Sequence, residues 1–150
     1  MSSGDRTRVS LLGSTGSIGT QGLQVVSAHP ERFSVAAISG GSNLRLLAQQ
    51  AARYTPPLVA AATGTVEELT DAITAAAHEA GATDYTPDVL VGPDAATEVA
   101  GHPSDVVLNG ITGAIGLRPT LAALGSGARL ALANKESLII GGPLVTARAK

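Results

Sequence analysis

Six short apolar runs, separated by longer segments with helical periodicity, constrain the fold of this chain more than any other feature. Their starts lie 17 to 30 residues apart, which is the spacing of strands joined by crossover helices. Several runs are apolar without alternation, as expected for strands buried on both faces of a parallel sheet. The runs predict strands at residues 8–12, 34–39, 58–62, 88–91, 105–108 and 129–133.

The segments between these runs carry apolar stripes at helical spacing. One stripe covers residues 44–51 and a second covers residues 69–80, with Thr65 and Glu68 placed as a capping box before the second. Further helices are predicted with Pro93 in a first turn and over residues 117–124, ended by Gly125. The alternation predicts an α/β fold with a doubly wound parallel sheet of about six strands. We expect a flexible tail at residues 1–7 and one Rossmann-like domain over residues 8–150.

The composition limits the classes of protein to which the chain can belong. With 150 residues, 44% apolar and 15% charged, it has the size and composition of a globular domain. A net charge of −2 gives no basic surface for nucleic acid, and the apolar runs are too short to span a membrane. The absence of cysteine excludes disulfides and thiolate nucleophiles and is compatible with a cytoplasmic location.

A glycine motif lies between the first predicted strand and the first predicted helix. Residues 13–19 read Gly-Ser-Thr-Gly-Ser-Ile-Gly, with a glycine at every third position. In dinucleotide-binding folds, the first glycine permits a tight turn, the second admits the phosphates, and the third lets helix and strand pack closely. Ser14, Thr15 and Ser17 add hydroxyl donors. The motif therefore predicts a nucleotide-binding loop, with a dinucleotide favoured by its place after the first strand.

An ordinary turn and a P-loop are two alternatives to a dinucleotide-binding loop. An ordinary strand-to-helix turn also contains glycine, and 18 glycines in one chain make chance spacings common. A P-loop requires a lysine directly after its last glycine, whereas the lysines here are Lys135 and Lys150. The P-loop is therefore excluded, and the place of the motif after the first strand argues against an ordinary turn.

The end of the second predicted strand bears on which dinucleotide would bind. An acidic residue there accepts hydrogen bonds from the ribose in NAD-binding folds, but residues 40–45 contain none. Gly41, Ser42 and Asn43 offer hydrogen-bond donors, and Arg45 offers a positive charge. Since Ser42 and Asn43 could also cap the next helix, capping and phosphate binding both remain open. This pattern favours NADP over NAD.

A second group of polar residues follows the last two predicted strands. Residues 109–116 read Asn-Gly-Ile-Thr-Gly-Ala-Ile-Gly, and residues 134–137 read Asn-Lys-Glu-Ser. Open α/β sheets bind ligands outside the carboxyl ends of their strands. Lys135 is therefore predicted to contact a phosphate or a substrate. Tyr54 and Tyr85 lack a lysine four residues on, which excludes the Tyr-Lys relay of short-chain dehydrogenases.

The three motifs at residues 13–19, 109–120 and 133–138 together resemble the 1-deoxy-D-xylulose 5-phosphate reductoisomerase family. The resemblance implies an NADPH-dependent enzyme of non-mevalonate isoprenoid biosynthesis. It implies isomerisation and reduction of 1-deoxy-D-xylulose 5-phosphate to 2-C-methyl-D-erythritol 4-phosphate. It also implies a cytoplasmic homodimer that uses Mg²⁺ or Mn²⁺.

The resemblance also implies roles for particular residues. Cofactor contacts are implied for Thr15, Gly16, Ser17 and Ile18 at the phosphates, for Gly41, Ser42 and Asn43 around the adenosine ribose and its 2′-phosphate, and for Asn134 and Glu136 on the nicotinamide side. Lys135 would contact the sugar-phosphate substrate, and Ser42 stands where the family often carries a basic residue.

The family's metal-binding residues do not occur among residues 1–150. These residues are an Asp-Ser-Glu motif and a further Glu, in a catalytic domain that follows this region in the family. We therefore assign no catalytic and no metal-binding residue to this chain, and we expect it to lack the family's catalytic and C-terminal domains. The chain alone is expected to bind NADPH without turnover. The alternative is a non-catalytic NADP-sensing Rossmann module.

Overall fold

The computed structural model describes residues 6–110 and 129–132 of the protein. Strands and helices alternate along these residues. The elements are β1 (Thr7–Leu12), α1 (Ser17–Ala28), β2 (Phe33–Gly40), α2 (Leu44–Tyr54), β3 (Leu58–Ala61), α3 (Val66–Glu79), β4 (Asp88–Val91), α4 (Ala95–Gly101), β5 (Val106–Asn109) and β6 (Arg129–Leu132). The predicted α/β alternation is confirmed.

The strands of the described residues form one parallel sheet in the order β4-β3-β2-β1-β5-β6. The chain moves outward from β1 to β4 and then returns to place β5 on the other side of β1. This reversal makes the gap between the carboxyl ends of β1 and β5 the topological switch point, where open α/β sheets bind ligands. The predicted doubly wound sheet is thus confirmed, and the glycine motif lies at its switch point.

Helices cover both faces of the sheet, which explains why the strand sequences do not alternate. Leu11 and Leu12 are adjacent in β1 and both fully buried, yet they belong to core clusters on opposite faces. Helices α1 to α3 supply the helical part of the cluster around Leu11, including Leu47 and Leu69. Helix α4 supplies that of the other cluster, including Val99. Because β1 is buried on both faces, it can carry apolar residues at successive positions, as Leu11 and Leu12 do.

The helix starts follow the capping predictions with one exception. The Thr65 Oγ1 atom accepts a hydrogen bond from the Glu68 N–H at 3.1 Å, as predicted for α3. The prediction that Pro93 lies in the first turn of a helix is wrong, because α4 begins at Ala95 with Asp94 as its N-cap residue. The Ala95 N–H donates to the Gly92 carbonyl oxygen at 3.1 Å, so a turn intervenes before the helix. The helix predicted at residues 117–124 lies outside the described residues.

Tyr85 provides a prediction about the pH dependence of stability. Its hydroxyl donates to the carbonyl oxygen of the buried Pro56, and burial raises the pKa of the phenol well above 10. A raised folded-state pKa gives stability that is fully present below pH 10 and is lost as the pH rises further. We therefore expect Tyr85→Phe to lower the free energy of unfolding by about 1 kcal/mol at neutral pH.

Urea unfolding at neutral pH and above pH 10 tests this prediction. The difference in stability between the parent and Tyr85→Phe should shrink at the higher pH, because only the parent has this phenol to ionise. An unchanged difference would contradict the assignment of a raised pKa to Tyr85.

Candidate functional site

The glycine loop, residues 13–19, connects β1 to α1 and requires glycine at its two ends. Gly13 has φ of +72°, a left-handed conformation that favours glycine. A Cβ added at Gly19 would lie 2.5 Å from Ser14 Cα and 2.7 Å from the Ser14 carbonyl carbon. The first turn of α1 therefore packs directly on the backbone of the loop. The predicted turn at the first glycine and close packing at the third are both confirmed.

The middle glycine differs from the other two. Gly16 is the N-cap residue of α1, and its φ of −80° and ψ of 176° are extended backbone that other residues also adopt. A Cβ added there would meet only the Gly13 carbonyl oxygen, at an ordinary 3.5 Å. Gly16 is also exposed. Neither conformation nor packing within the described residues requires glycine here, and the backbone at Gly16 is open to close approach from outside.

The N-terminus of α1 is suited to an anion. The first N–H groups of a helix have no intrahelical acceptor, and no side chain caps this helix at Gly16. Its first turn contains no acidic residue that would compete for the positive end of the helix dipole. Ser17 is exposed and Ile18 half-buried at this end. The arrangement can receive a phosphate through backbone N–H groups.

Ser14 is not available to a ligand, which corrects the prediction that its hydroxyl is a donor in the loop. The residue is fully buried, and its Oγ donates to Gln50 Oε1 at 2.8 Å. The Gln50 Nε2 group donates in return to the Ser14 carbonyl oxygen at 2.9 Å, and the Ser14 N–H donates to the Ser39 carbonyl oxygen at 2.8 Å. Gln50 and Ser39 were missed by the sequence analysis. Ser14 therefore holds the loop to α2 and β2.

The exit of β2 lies beside the glycine loop. A Cβ added at the buried Gly40 would lie 3.4 Å from Thr15 Cγ2, so the Thr15 side chain packs over the end of β2. The next three residues, Gly41, Ser42 and Asn43, are all exposed. The loop and the β2 exit can therefore contact one extended ligand.

Asn43 has the capping role that the sequence left open. Its Oδ1 atom accepts a hydrogen bond from the Leu46 N–H at 3.2 Å and caps α2. No acidic residue occurs in the first turn of α2. Arg45 is exposed and lines a groove of about 290 Å³ between α2 and α3, together with Glu79. Its contact with a 2′-phosphate stays a prediction.

The exit of β5 closes the other side of the switch point. The Gly110 N–H donates to the Leu12 carbonyl oxygen at 2.9 Å, which extends the β1–β5 pairing beyond the strand end. A Cβ added at Gly110 would lie 3.2 Å from that oxygen and 3.4 Å from Ile18 Cβ. Gly110 thus lets the β5 exit pack against the start of α1. Residues 111–120 and the predicted site residues Asn134, Lys135 and Glu136 lie outside the described residues.

A separate cavity of about 510 Å³ lies away from the glycine loop, where α1 and α2 end and β2 begins. Arg6, Phe33 and Tyr54 are among the residues that line it. The Tyr54 hydroxyl donates to the Leu23 carbonyl oxygen at 3.2 Å and so fixes α2 against α1. The cavity contains none of the residues that the sequence predicts to bind a cofactor.

Residues 6–110 and 129–132 contain no group of three or more His, Cys, Asp or Glu residues arranged to hold a metal ion. No helix in these ranges is both long and apolar enough to cross a membrane.

The fold and the loop geometry define a Rossmann-like nucleotide-binding domain. Residues 9–142 match the family model of 1-deoxy-D-xylulose 5-phosphate reductoisomerase. The chain therefore belongs to the 1-deoxy-D-xylulose 5-phosphate reductoisomerase family.

Curated relatives support this assignment along most of the chain. Over 95% of its length, the chain is 58% identical to the reductoisomerase of Paenarthrobacter aurescens and 54% identical to that of Streptomyces coelicolor. It covers 36% of the first of these relatives and 34% of the second. The chain thus spans about a third of the length of the relatives that it matches.

Solved structures agree with the fold. A reductoisomerase from Zymomonas mobilis in complex with NADPH matches with a TM-score of 0.83 and 31% identity, over 95% of this chain and 36% of that one. A reductoisomerase in complex with magnesium matches with a TM-score of 0.85 and 34% identity, over 96% of this chain and 34% of that one.

Proposed function

We propose that this chain binds NADPH as the cofactor domain of a 1-deoxy-D-xylulose 5-phosphate reductoisomerase. The observation that carries the proposal is the N-terminus of α1, which lies at the switch point of the sheet and has neither a side-chain cap nor an acidic residue in its first turn. The backbone at Gly16 leaves this helix end open to a ligand. Thr15, Gly16, Ser17 and Ile18 would hold the pyrophosphate through backbone N–H groups and hydroxyls. When bound, NADPH supplies a hydride for reduction.

The proposal extends to the choice of NADPH over NADH. Gly41, Ser42 and Asn43 would surround the adenosine ribose and its 2′-phosphate, because they are exposed where the β2 exit adjoins the glycine loop. A carboxylate at this point would repel the 2′-phosphate, and the segment contains none. Asn134 and Glu136 are proposed on the nicotinamide side, and Lys135 is proposed to contact the substrate phosphate.

The complete reaction is proposed for the whole protein. It isomerises 1-deoxy-D-xylulose 5-phosphate and reduces the product to 2-C-methyl-D-erythritol 4-phosphate, with Mg²⁺ or Mn²⁺ as the metal. We place the metal ligands and the isomerisation in the part of the family's length that this chain does not span, and we propose that the chain alone does not turn over substrate. A homodimer and a cytoplasmic location are proposed with it. Family membership favours this enzyme over a non-catalytic NADP-sensing module.

Calorimetric titration of the chain with NADPH and with NADH tests the binding proposal. We expect NADPH to bind and NADH to bind more weakly, and binding of neither cofactor would overturn the proposal. A spectrophotometric assay with NADPH, 1-deoxy-D-xylulose 5-phosphate and Mg²⁺ tests the second part. Steady NADPH oxidation by this chain would contradict our placement of the isomerisation.

Ser42→Asp tests the proposed 2′-phosphate contact. We expect a Kd for NADPH that is higher by about fivefold or more, because two negative charges a few ångströms apart repel by about 1 kcal/mol even in water. The Kd for NADH should change much less, since NADH carries no 2′-phosphate. Ser42→Asn is the neutral control and should leave both values close to those of the parent. Equal weakening of both cofactors by Ser42→Asp would place the 2′-phosphate elsewhere.

A further inference from the structure

We propose that Gln50 is a positioning residue for the glycine loop, which it holds from α2 through paired hydrogen bonds to Ser14. This inference rests on the proposed function, because it concerns the loop that would receive the NADPH pyrophosphate. Gln50 is 7% exposed and Ser14 is fully buried, so Gln50 acts through Ser14 and not by touching the cofactor.

The two hydrogen bonds form a closed pair between the side chain of Gln50 and one residue of the loop. Its Nε2 group donates to the Ser14 carbonyl oxygen at 2.9 Å, and its Oε1 atom accepts from the Ser14 Oγ at 2.8 Å. A buried amide without partners is costly, so an amide on an otherwise apolar helix face is explained by the partners that it serves. Both polar ends of the Gln50 side chain are satisfied by Ser14.

The first turn of α1 packs against the backbone of two loop residues, Gly13 and Ser14. A Cβ added at Gly19, in that turn, would meet the Gly13 carbonyl oxygen as well as the Cα and carbonyl carbon of Ser14. A displacement of Ser14 would therefore displace that turn and the N–H groups around Gly16. Gln50 thus sets the position of the donors that would bind the pyrophosphate, although it lies on a different helix.

Because Gln50 lies on α2, an experiment can distinguish positioning of the glycine loop from stabilisation of α2 as a whole. Helix α2 begins at the predicted 2′-phosphate contact, where Asn43 caps it. Collapse of α2 would impair both ends of the cofactor site, whereas a shift of the glycine loop would impair only the pyrophosphate end. Adenosine 2′-monophosphate carries the 2′-phosphate without the pyrophosphate and therefore reports on the α2 end alone.

The test compares Gln50→Met with Gln49→Met by calorimetric titration with NADPH and with adenosine 2′-monophosphate. Methionine has a similar length without the amide, and Gln49 is the exposed neighbour on the same helix. We expect Gln50→Met to raise the Kd for NADPH by about tenfold or more, because binding would then have to order a loop that the hydrogen-bond pair no longer holds in place. The Kd for adenosine 2′-monophosphate should stay within about twofold, and Gln49→Met should change neither value.

Three results would overturn the inference. A folded Gln50→Met that binds NADPH like the parent would show that the hydrogen-bond pair does not position the loop. Equal weakening of both ligands would indicate support of α2 as a whole. If Gln50→Met does not fold, Ser14→Ala decides, because it removes only the Oγ bond: unchanged NADPH binding would then overturn the inference. Failure of the parent to bind NADPH would instead overturn the proposed function.

Discussion

A Gly16→Val chain is expected to fold like the parent and to lose most of its affinity for NADPH. The backbone of Gly16 is extended, which suits a β-branched residue, and only the Gly13 carbonyl oxygen lies near an added Cβ. Replacing glycine by valine at a helix N-cap costs about 1 kcal/mol or less. The side chain would nevertheless stand where the pyrophosphate must approach the helix N-terminus. Losing even one charge-assisted hydrogen bond there, worth about 1.5 to 3 kcal/mol, raises the Kd by about ten- to 100-fold.

Urea unfolding and calorimetric titration of the same sample separate the two effects. Gly101→Val is the matched control, because Gly101 is exposed at the end of α4 and an added Cβ there meets nothing within 4 Å. It should change neither stability nor Kd appreciably. If Gly16→Val retained the affinity of the parent for NADPH, the pyrophosphate could not lie over Gly16, and the main argument for the site would fail.

The strands could be predicted from the sequence because burial on both faces leaves a local signal. Each of the six strands begins within one residue of the predicted position. A continuous apolar run is enough to identify such a strand, and the helical stripes between runs supply the crossovers. The start of α4 was wrong because Pro93 suits both a first helical turn and the turn that the Gly92 carbonyl oxygen closes with Ala95. Local preference does not separate these two arrangements.

The glycine motif of the candidate site could also be predicted from the sequence, whereas the buried hydrogen bonds that hold this loop in place could not. Gly13, Gly16 and Gly19 form a local pattern whose spacing reflects the turn itself. Ser14 and Gln50 are 36 residues apart, and only the packing of α2 against the glycine loop brings them together. The sequence does contain one signal for Gln50, since helical periodicity puts it on the buried face of α2 with Leu47 and Ala51. A buried amide on such a face indicates a polar partner without identifying it.

Gly19→Ala is expected to have the largest effect on stability of the substitutions considered. The added methyl group would meet the Ser14 backbone at 2.5 Å and 2.7 Å, and backbone atoms cannot rotate away as a side chain can. Overpacking of this kind costs about 1 to 3 kcal/mol or more, while alanine gains about 1 kcal/mol over glycine in a helix. We therefore expect a net loss of about 2 kcal/mol in the free energy of unfolding, which is a large part of the stability of a typical domain.

Gly22→Ala is the matched control for this prediction, since it makes the same change in the same helix. A Cβ at Gly22 would meet Leu108 Cδ2 at 2.5 Å and Leu11 Cδ2 at 3.2 Å, which are the ends of side chains that can adjust. Its cost should therefore be smaller than that of Gly19→Ala by about 1 kcal/mol or more, because no backbone needs to move. Urea unfolding followed by circular dichroism measures both values. Equal stability of the two variants would show that the loop backbone can yield at Ser14. Helix α1 would then not depend on glycine for its contact with the loop, and the third glycine of the motif would have no packing role.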